Sequence, residues 1–284
     1  MRRGFVRGAL LCVALVAGCK RESTDAKTHA PPPSALPSLV SASPRPPPCR
    51  ALRVKGGART ETAPVVTMTP LDGRAWVTLE DGADMVVRHG VTAREFSLRG
   101  PGRFLPCRGG TEQVLVASGR VRSAMGTGVR PGAEFSIATP FGSLSYGDAD
   151  VESNVEGSRW QVEVRRGSVA SDPVPGTQGL PTGTLAGPNA VVTATGSANP
   201  GGLVANCENA AREAAAGAER VLAATDKATL GRDAALQLTA RRHARAACAS
   251  AEAGLDREKD SARKLVLKDQ LIAAERLWRT IPLR

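Results

Sequence analysis

Aromatic residues are scarce in this chain. Its 284 residues include three Trp, one Tyr and five Phe, about 3% of the sequence. Sites that stack sugars or nucleic-acid bases depend on such side chains, so the composition gives little support to either kind of site. The core must instead be built mainly from Val, Ala and Leu, whose side chains bury less apolar area.

The sequence also lacks the common catalytic and metal-binding patterns. His29, His89 and His243 show no metal-ligand spacing to one another or to the cysteines. No Gly-x-Ser-x-Gly, Ser-x-x-Lys, His-Glu-x-x-His or Walker sequence is present. The cysteines include no Cys-x-x-Cys pair. These absences favour a protein that is not an enzyme and needs neither a metal nor a cofactor.

The first nineteen residues have the layout of a secretory signal. A basic head over 1–7 precedes an apolar run over 9–17, and Gly18 supplies a small residue at the cleavage point. The run is far shorter than the roughly 20 residues that a membrane-spanning helix needs. The ending Val16-Ala17-Gly18-Cys19 resembles a bacterial lipobox, which implies that Cys19 is acylated and becomes the N-terminus. The alternative is an ordinary signal peptide cleaved nearby.

A lipid-anchored protein of the bacterial cell envelope is therefore expected, with its folded part in the periplasm or at the surface. Lys20, rather than an aspartate, follows the cysteine, which favours the outer over the inner membrane. The formal net charge of +11 falls to +8 if Arg2, Arg3 and Arg7 leave with the signal. Nucleic acid is not expected as a partner outside the cytoplasm, whereas anionic lipids, cell-wall polymers and acidic glycans are available there. The scattered basic residues fit equally well an arginine-rich composition with no dedicated partner.

Composition divides the chain into four segments. The signal occupies 1–18, and a proline-rich linker over 19–48 is expected to be extended or disordered. Residues 49–202 alternate apolar and polar side chains with a period close to two, as in Trp160, Val162 and Val164, and predict a β domain. Residues 203–284 are rich in Ala, Arg, Glu and Leu and predict a helical hairpin.

Turn signals recur every 8–12 residues in the β domain, which predicts about ten short strands in a sandwich or β-roll. The dipeptides Asp72-Gly73 and Asp81-Gly82 are typical of hairpin turns on either side of one short strand. In the helical segment, the stretch 226–233 contains Gly231 and is expected to separate two helices. Asp233 can then cap the second helix, and Gly254 can bend it before a last segment.

Four cysteines remain once Cys12 is removed with the signal and Cys19 is acylated. Four cysteines allow three pairings, which sequence alone does not decide. Their grouping along the chain favours Cys49–Cys107 and Cys207–Cys248. The second pair lies almost symmetrically about the break between the helices, so two antiparallel helices would bring its members face to face.

A row of polar residues with carboxylates follows one strand. If the segment is regular, one strand face carries the following side chains: Tyr146, Asp148, Asp150, Glu152, Asn154 and Glu156. Such an acidic face, with Asp148, Asp150 and Glu152 at its centre, could bind a divalent cation or a basic partner. The alternative is a solvated face or guarded edge of the sheet.

Four short segments of the β domain occur in an order typical of one protein family. These segments are 100–104, 116–121, 135–142 and 162–169, the third reading Phe-Ser-Ile-Ala-Thr-Pro-Phe-Gly. Together they resemble the FecR-type periplasmic domain over about residues 70–170. The resemblance implies a right-handed β-roll or sandwich. The family pattern of Gly-Thr-x-Phe is replaced by Gly-Asp-Ala-Asp-Val at 147–151.

In its best-known setting a FecR-type domain relays a signal from an outer-membrane transporter to a cytoplasmic sigma factor. A lipid anchor cannot by itself carry a conformational signal across the inner membrane, so the resemblance implies the fold more than this relay. The sequence therefore favours a non-enzymatic envelope lipoprotein that serves protein–protein interaction, envelope signalling or scaffolding. The alternative is an accessory lipoprotein that binds cell-wall glycan or another polyanion.

Overall fold

A computed structural model describes residues 48–123 and 133–279. The signal, Cys19 and all of the linker except Pro48 lie outside the described residues. Within those two ranges, no helix is both long and apolar enough to cross a bilayer.

Thirteen strands precede three helices in the described ranges. The strands are β1 (Cys49–Lys55), β2 (Ala58–Arg59), β3 (Pro70–Leu71), β4 (Val77–Leu79), β5 (Asp84–His89), β6 (Glu95–Leu105), β7 (Gln113–Ser123), β8 (Phe135–Thr139), β9 (Gly142–Tyr146), β10 (Ala149–Glu156), β11 (Arg159–Pro173), β12 (Gly183–Ala186) and β13 (Ala190–Thr195). The helices are α1 (Pro200–Ala223), α2 (Lys227–Leu255) and α3 (Ser261–Arg279), and a 3-10 turn spans Arg108–Gly110. A β domain followed by a helical segment is therefore confirmed.

All thirteen strands belong to one sheet, part of which closes on itself. The main path runs β10-β11-β9-β8-β7-β6-β5-β1-β3, and β10 also pairs with β7. Strands β7, β8, β9, β11 and β10 therefore form a closed five-stranded barrel. Within the barrel, β7 and β8 are parallel and the other neighbours are antiparallel.

Two glycines allow the barrel to close. Gly119 in β7 and Gly167 in β11 both have positive φ, +96° and +81°. A Cβ at Gly167 would lie 2.3 Å from the Asp148 carbonyl oxygen, so no other residue fits there without a shift. Each strand pairs with different neighbours on the two sides of its glycine. The backbone bends at these points and turns the sheet corner.

The core fills the barrel and continues under the remaining strands. Trp160, Val162 and Val164 are fully buried, which confirms the alternation expected for that strand. The Trp160 indole donates to Ser153 Oγ at 2.8 Å, so its one polar atom is satisfied. Phe135 contacts both Phe96 and Tyr146, with ring centroids 5.3 and 5.6 Å apart.

The strand count and both predicted hairpin turns differ from expectation. The structure has thirteen strands rather than about ten, because β2 and β3, with two residues each, and β4, with three, are too short to show a period. Asp72-Gly73 does not close a hairpin, because β3 pairs with β1 whereas β4 pairs with β2 and β6. Asp81-Gly82 does not close a hairpin: β4 and β5 do not pair with each other, and both run antiparallel to β6. Asp81-Gly82 instead lies in a turn between β4 and β5, which both pair with β6.

The helices begin and end at other residues than expected. Asn199 caps α1 by accepting from Gly201 N, with Pro200 at the first helical position. The break before α2 lies at 224–226 rather than 226–233, and Asp226, not Asp233, caps α2 by accepting from Thr229 N at 2.9 Å. A carboxylate at 226 satisfies the first turn of α2, and Gly231 is tolerated inside the helix. Helix α3 forms a third helix beside the pair.

The helices pack on the sheet through small side chains. Leu105, Leu115 and Ala138 of the β region form an apolar cluster with Ala249 and Ala253 of α2. Strands and helices belong to one compact unit. This contact positions α2 and α3 beside the turn over 108–110.

Candidate functional site

Both favoured disulfide pairings are present in the structure. Cys49 bonds to Cys107, with Cα atoms 6.2 Å apart, and ties β1 to the turn after β6. Cys207 bonds to Cys248, with Cα atoms 4.5 Å apart, and ties α1 to α2. All four cysteines are buried. The bonds fix the relative positions of distant segments in each half of the protein.

One polar surface is the outer side of five neighbouring strands, which we call the polar face. Its side chains come from β5, β6, β7, β10 and β11 and are Asp84, Ser97, Arg99, Arg120, Arg122, Asp150, Glu152, Asn154, Gln161, Glu163 and Arg165. Alternation along each strand buries their neighbours in the core. Alternation along each strand therefore decides which side chains lie on the polar face, and the register between strands decides which of them are neighbours.

Strand register places these side chains in two rows. One row runs Asp84, Arg99, Arg120, Asn154 and Gln161, each directly opposite the next. The parallel row runs Ser97, Arg122, Glu152 and Glu163. Directly opposite side chains on one sheet face lie close enough to interact.

Ion pairs run along the rows, between them and to Asp150 and Arg165, which lie outside both rows. Arg120 of the first row contacts Glu152 of the second at 3.3 Å. Arg99 contacts Asp84 at 2.8 Å, Arg122 contacts Asp150 at 3.0 Å, and Glu152 accepts from Arg165 at 2.7 Å. Hydrogen bonds to Asp84 and to Asp150 raise the pKa of Arg99 and of Arg122, respectively. The four arginines of this surface are matched by four carboxylates, so the polar face is densely charged and has no net charge.

The expected acidic face is thus only part of a mixed surface. Asp150 and Glu152 do share one face, with arginines of β7 and β11 beside them. Asp148 lies in the bend before β10 and is 3.8 Å from Arg166. Tyr146 is buried in β9, and burial raises the pKa of its hydroxyl well above the usual range. The bend at 147–148 separates two strands and breaks the alternation that was expected to place Tyr146 beside the carboxylates.

The polar face has two shallow depressions that share a wall. One, of about 310 Å³, is lined by Arg120, Asn154 and Gln161 among others. The other, of about 320 Å³, is lined by Ser97, Arg99 and Arg122 among others. Arg120, Glu152 and Arg165 line both. The depressions offer guanidinium, amide, hydroxyl and carboxylate groups but no aromatic ring, so they suit polar contacts.

A second polar region lies between the sheet and the helices. Buried Arg108 is hydrogen-bonded to Glu252 of α2 and to Glu275 of α3. Nearby, Arg103 is paired with Asp256 at 2.6 Å, and Arg257 donates to the carbonyl of Ala117 at 2.9 Å. These contacts fasten both helices to the sheet beside an open cleft of about 720 Å³.

A third polar cluster lies inside the β region. His89, Arg94 and Glu112 are all buried, and Arg94 donates to the carbonyl of Gly147 at 2.7 Å. His89 Nδ1 is 3.5 Å from a Glu112 carboxylate oxygen and 3.0 Å from Thr92 Oγ1. Burial raises the pKa of Glu112, and the charge of Arg94 opposes that shift. None of these three residues lines the cleft or the two depressions described above, which indicates a structural role.

Sequence reasoning found the carboxylates of β10 but missed the arginines and the Arg108 contacts. The signals Arg-x-Arg at 120–122 and Glu-x-Arg at 163–165 were present, yet only strand register shows that they are neighbours. Within 48–123 and 133–279, no group of three His, Cys, Asp or Glu side chains is placed to hold a metal ion. Comparisons with protein-family models, with curated proteins and with solved structures found no match to this chain.

Proposed function

We propose that this chain is a non-enzymatic lipoprotein of the bacterial cell envelope, with a FecR-like β domain that binds a protein partner through the polar face. The lipobox at 16–19 and the two disulfide bonds support export to an oxidising compartment. The four sequence segments 100–104, 116–121, 135–142 and 162–169, which follow one another in the order typical of the FecR family, support the FecR-like assignment.

The observation that best supports a protein partner is the two rows of polar side chains that cross five strands. Side chains of both signs are held there by cross-strand pairing, and arginine is enriched where proteins meet. A surface with alternating charges selects a partner with a complementary pattern and disfavours partners with a different one. Polar contacts of this kind determine partner specificity and the rate of association more than they determine affinity.

A protein partner fits the polar face better than a polyanion does. A polyanion gains from unpaired cations, whereas the arginines here are already paired with carboxylates. Binding a polyanion on this surface would require those pairs to open. Cell-wall glycan or another polyanion remains the alternative ligand, and the experiment below separates it from a protein.

Photocrosslinking in whole cells tests the proposal. A photoreactive amino acid at Ser97 or at Gln161 lies within the polar face and should give one discrete protein adduct. The matched control is the exposed Ala228 of α2, which should give no such adduct. Adducts of equal strength from Ala228, or no protein adduct together with salt-sensitive sedimentation with purified cell wall, would contradict it.

A further inference from the structure

A strip of unpaired cations lies on strand β1. Arg50, Arg53 and Lys55 are exposed and share its outer side, and none of them forms an ion pair with any described residue. Arg50 lies directly opposite Arg88 in the ladder with β5, and Arg88 is already paired with Glu95. Lys55 lies opposite Asp84, which is already bonded to Arg99. This arrangement differs from the polar face, where each arginine has its carboxylate.

Exposed apolar side chains lie beside the same strand. The loop over 66–69 runs along β1: Met68 N donates to Ala51 O at 2.6 Å, and Ala51 N donates to Thr69 O at 3.0 Å. In this loop Val66 is 61% exposed and Met68 is 52% exposed. Two large apolar side chains are thus held in solvent next to three cations.

The backbone at Met68 supports a functional reason for this exposure. Its φ is +71°, a left-handed conformation that side chains other than those of Gly, Asn and Asp rarely adopt. Such a conformation has an energetic cost and persists only when neighbouring contacts enforce it. Here the hydrogen bonds to β1 hold the backbone in this conformation. Because the Met68 side chain is exposed, it gains no burial that would offset the energetic cost.

We propose that the β1 strip, formed by Arg50, Arg53, Lys55, Val66 and Met68, binds the headgroup region of an anionic phospholipid bilayer. Cations near the surface are attracted to anionic headgroups, and apolar side chains gain by entering the boundary with the acyl chains. A soluble polyanion would be attracted by the cations but would gain nothing from Val66 and Met68. The combination therefore favours a bilayer over cell-wall polymer.

This inference goes beyond the proposed function and does not depend on it. Stable membrane attachment commonly requires two signals, for example one acyl chain together with a basic patch. The β1 strip would supply such a second signal from the folded part and would orient β1 toward the bilayer. A test with protein that carries no acyl chain removes the lipid anchor, and substitutions within the strip then measure its contribution.

Vesicle sedimentation of the full chain carrying Cys19→Ser tests the strip. Vesicles are made either of phosphatidylcholine alone or of equal parts phosphatidylcholine and phosphatidylglycerol. Because the signal with Arg2, Arg3 and Arg7 remains in this variant, the contribution of the strip is the part of the anionic binding that substitutions within the strip remove. We expect clearly stronger binding to the anionic vesicles, and this excess should weaken at high salt.

Three sets of substitutions identify the surface. Combining Arg50→Gln, Arg53→Gln and Lys55→Gln should weaken anionic binding by about fivefold per charge, on the order of a hundredfold in total. The matched control has the same net charge and replaces three exposed cations elsewhere: Arg159→Gln, Arg220→Gln and Lys227→Gln. It should lose little. Combining Val66→Ser with Met68→Asn, where Asn tolerates the left-handed backbone, should weaken vesicle binding several-fold.

Specific outcomes would overturn the assignment to a bilayer. Equal binding to neutral and anionic vesicles would do so, as would an equal loss in the control set. If the charge substitutions abolish binding while Val66→Ser with Met68→Asn leaves it unchanged, the surface recognises a polyanion and not a membrane. Circular dichroism of each variant shows whether the fold is retained, so that a loss of binding can be assigned to the surface.

Discussion

Cys207 of α1 and Cys248 of α2 are bonded to each other across the two helices, with Cα atoms 4.5 Å apart. The apolar cluster around this bond includes Leu203 of α1 and Leu255 of α2, whereas a separate cluster between the same helices consists of Ala210, Ala214, Ala244 and Ala247. Alanine allows close approach but buries little apolar area. The disulfide therefore adds a covalent link to two helices that also pack through Leu203, Val204 and Leu255.

Replacing both Cys207 and Cys248 by Ser should destabilise the helical segment strongly. The bond closes a loop of 41 residues, and the chain-entropy model gives about 3–4 kcal/mol for a loop of that length. Thermal unfolding followed at a helical wavelength measures the loss, and protease digestion should become faster in α1 and α2. Peptide mapping without reduction checks the bond itself. An unchanged melt would contradict the role given to this disulfide.

Arg108→Met should loosen the helices from the sheet. The substitution removes the buried guanidinium that Glu252 and Glu275 share, but both carboxylates are partly exposed and Glu275 keeps Arg279 as a partner, so the expected loss lies below the roughly 3–5 kcal/mol typical of a fully buried pair. Denaturant unfolding measures the change. Arg74→Met is the matched control, because Arg74 is exposed in the same cleft and has no ion pair in the described ranges. Adding Glu252→Gln and Glu275→Gln to Arg108→Met should restore part of the stability.

The sequence predictions that were confirmed depend on local patterns in the sequence. The alternation over 159–165 and the alanine-rich period after residue 203 each depend on neighbours within a few positions. Closure of the barrel depends instead on the pairing of β7 with β10, and no local signal reports that register. The same limit hid the contact of Arg108 with Glu252, which are 144 residues apart.

The helix break shows a different limit. Asp226 and Asp233 both have the residue type of a helix cap, and Gly231 lies between them. The sequence offers either start, and local propensity does not decide between them. The structure selects Asp226, whose carboxylate bonds to Thr229 N, and this adds almost two turns to α2. The composition of the polar face was likewise visible only in part, since β10 shows its carboxylates and the neighbouring strands supply the arginines.

Cys19→Ser should abolish acylation. The lipobox hypothesis requires the thiol of Cys19 as the attachment point, and a hydroxyl does not replace it. Metabolic labelling with a fatty-acid probe should mark the natural chain and not the variant, and the variant should leave the detergent phase on phase separation. Cys12→Ser is the matched control within the same signal and should keep the label. Labelling that persists in Cys19→Ser would refute the anchor.

A fragment over 49–202 should fold without the helices. The main apolar core consists of residues from the β region alone, and only a smaller cluster with Leu105, Leu115 and Ala138 is covered by α2. We expect a β-type circular dichroism spectrum and a cooperative melt at a lower temperature than that of the full chain. Exposure of the smaller cluster should also make the fragment bind an apolar dye. A random-coil spectrum would mean that the helices are needed to complete the fold.

The pair formed by His243 of α2 and Asp172 of β11 should make the contact between helices and sheet depend on pH. His243 Nδ1 is 2.9 Å from Asp172 Oδ2, and this hydrogen bond raises the pKa of His243 although partial burial opposes the shift. A pKa raised in the folded state gives a contribution that is complete below the unfolded value of about 6.5 and is lost as the pH rises through the folded value. Both side chains are more than a third exposed, so screening limits the effect to about 0.5 kcal/mol.

Unfolding free energies measured on both sides of this range should therefore fall by that amount toward high pH in the natural chain. His243→Gln should remove this fall, and Asp172→Asn should reduce it. The difference between the pH profiles of the natural chain and of His243→Gln is the quantity that decides. Identical pH profiles for these two proteins would show that the pair contributes nothing.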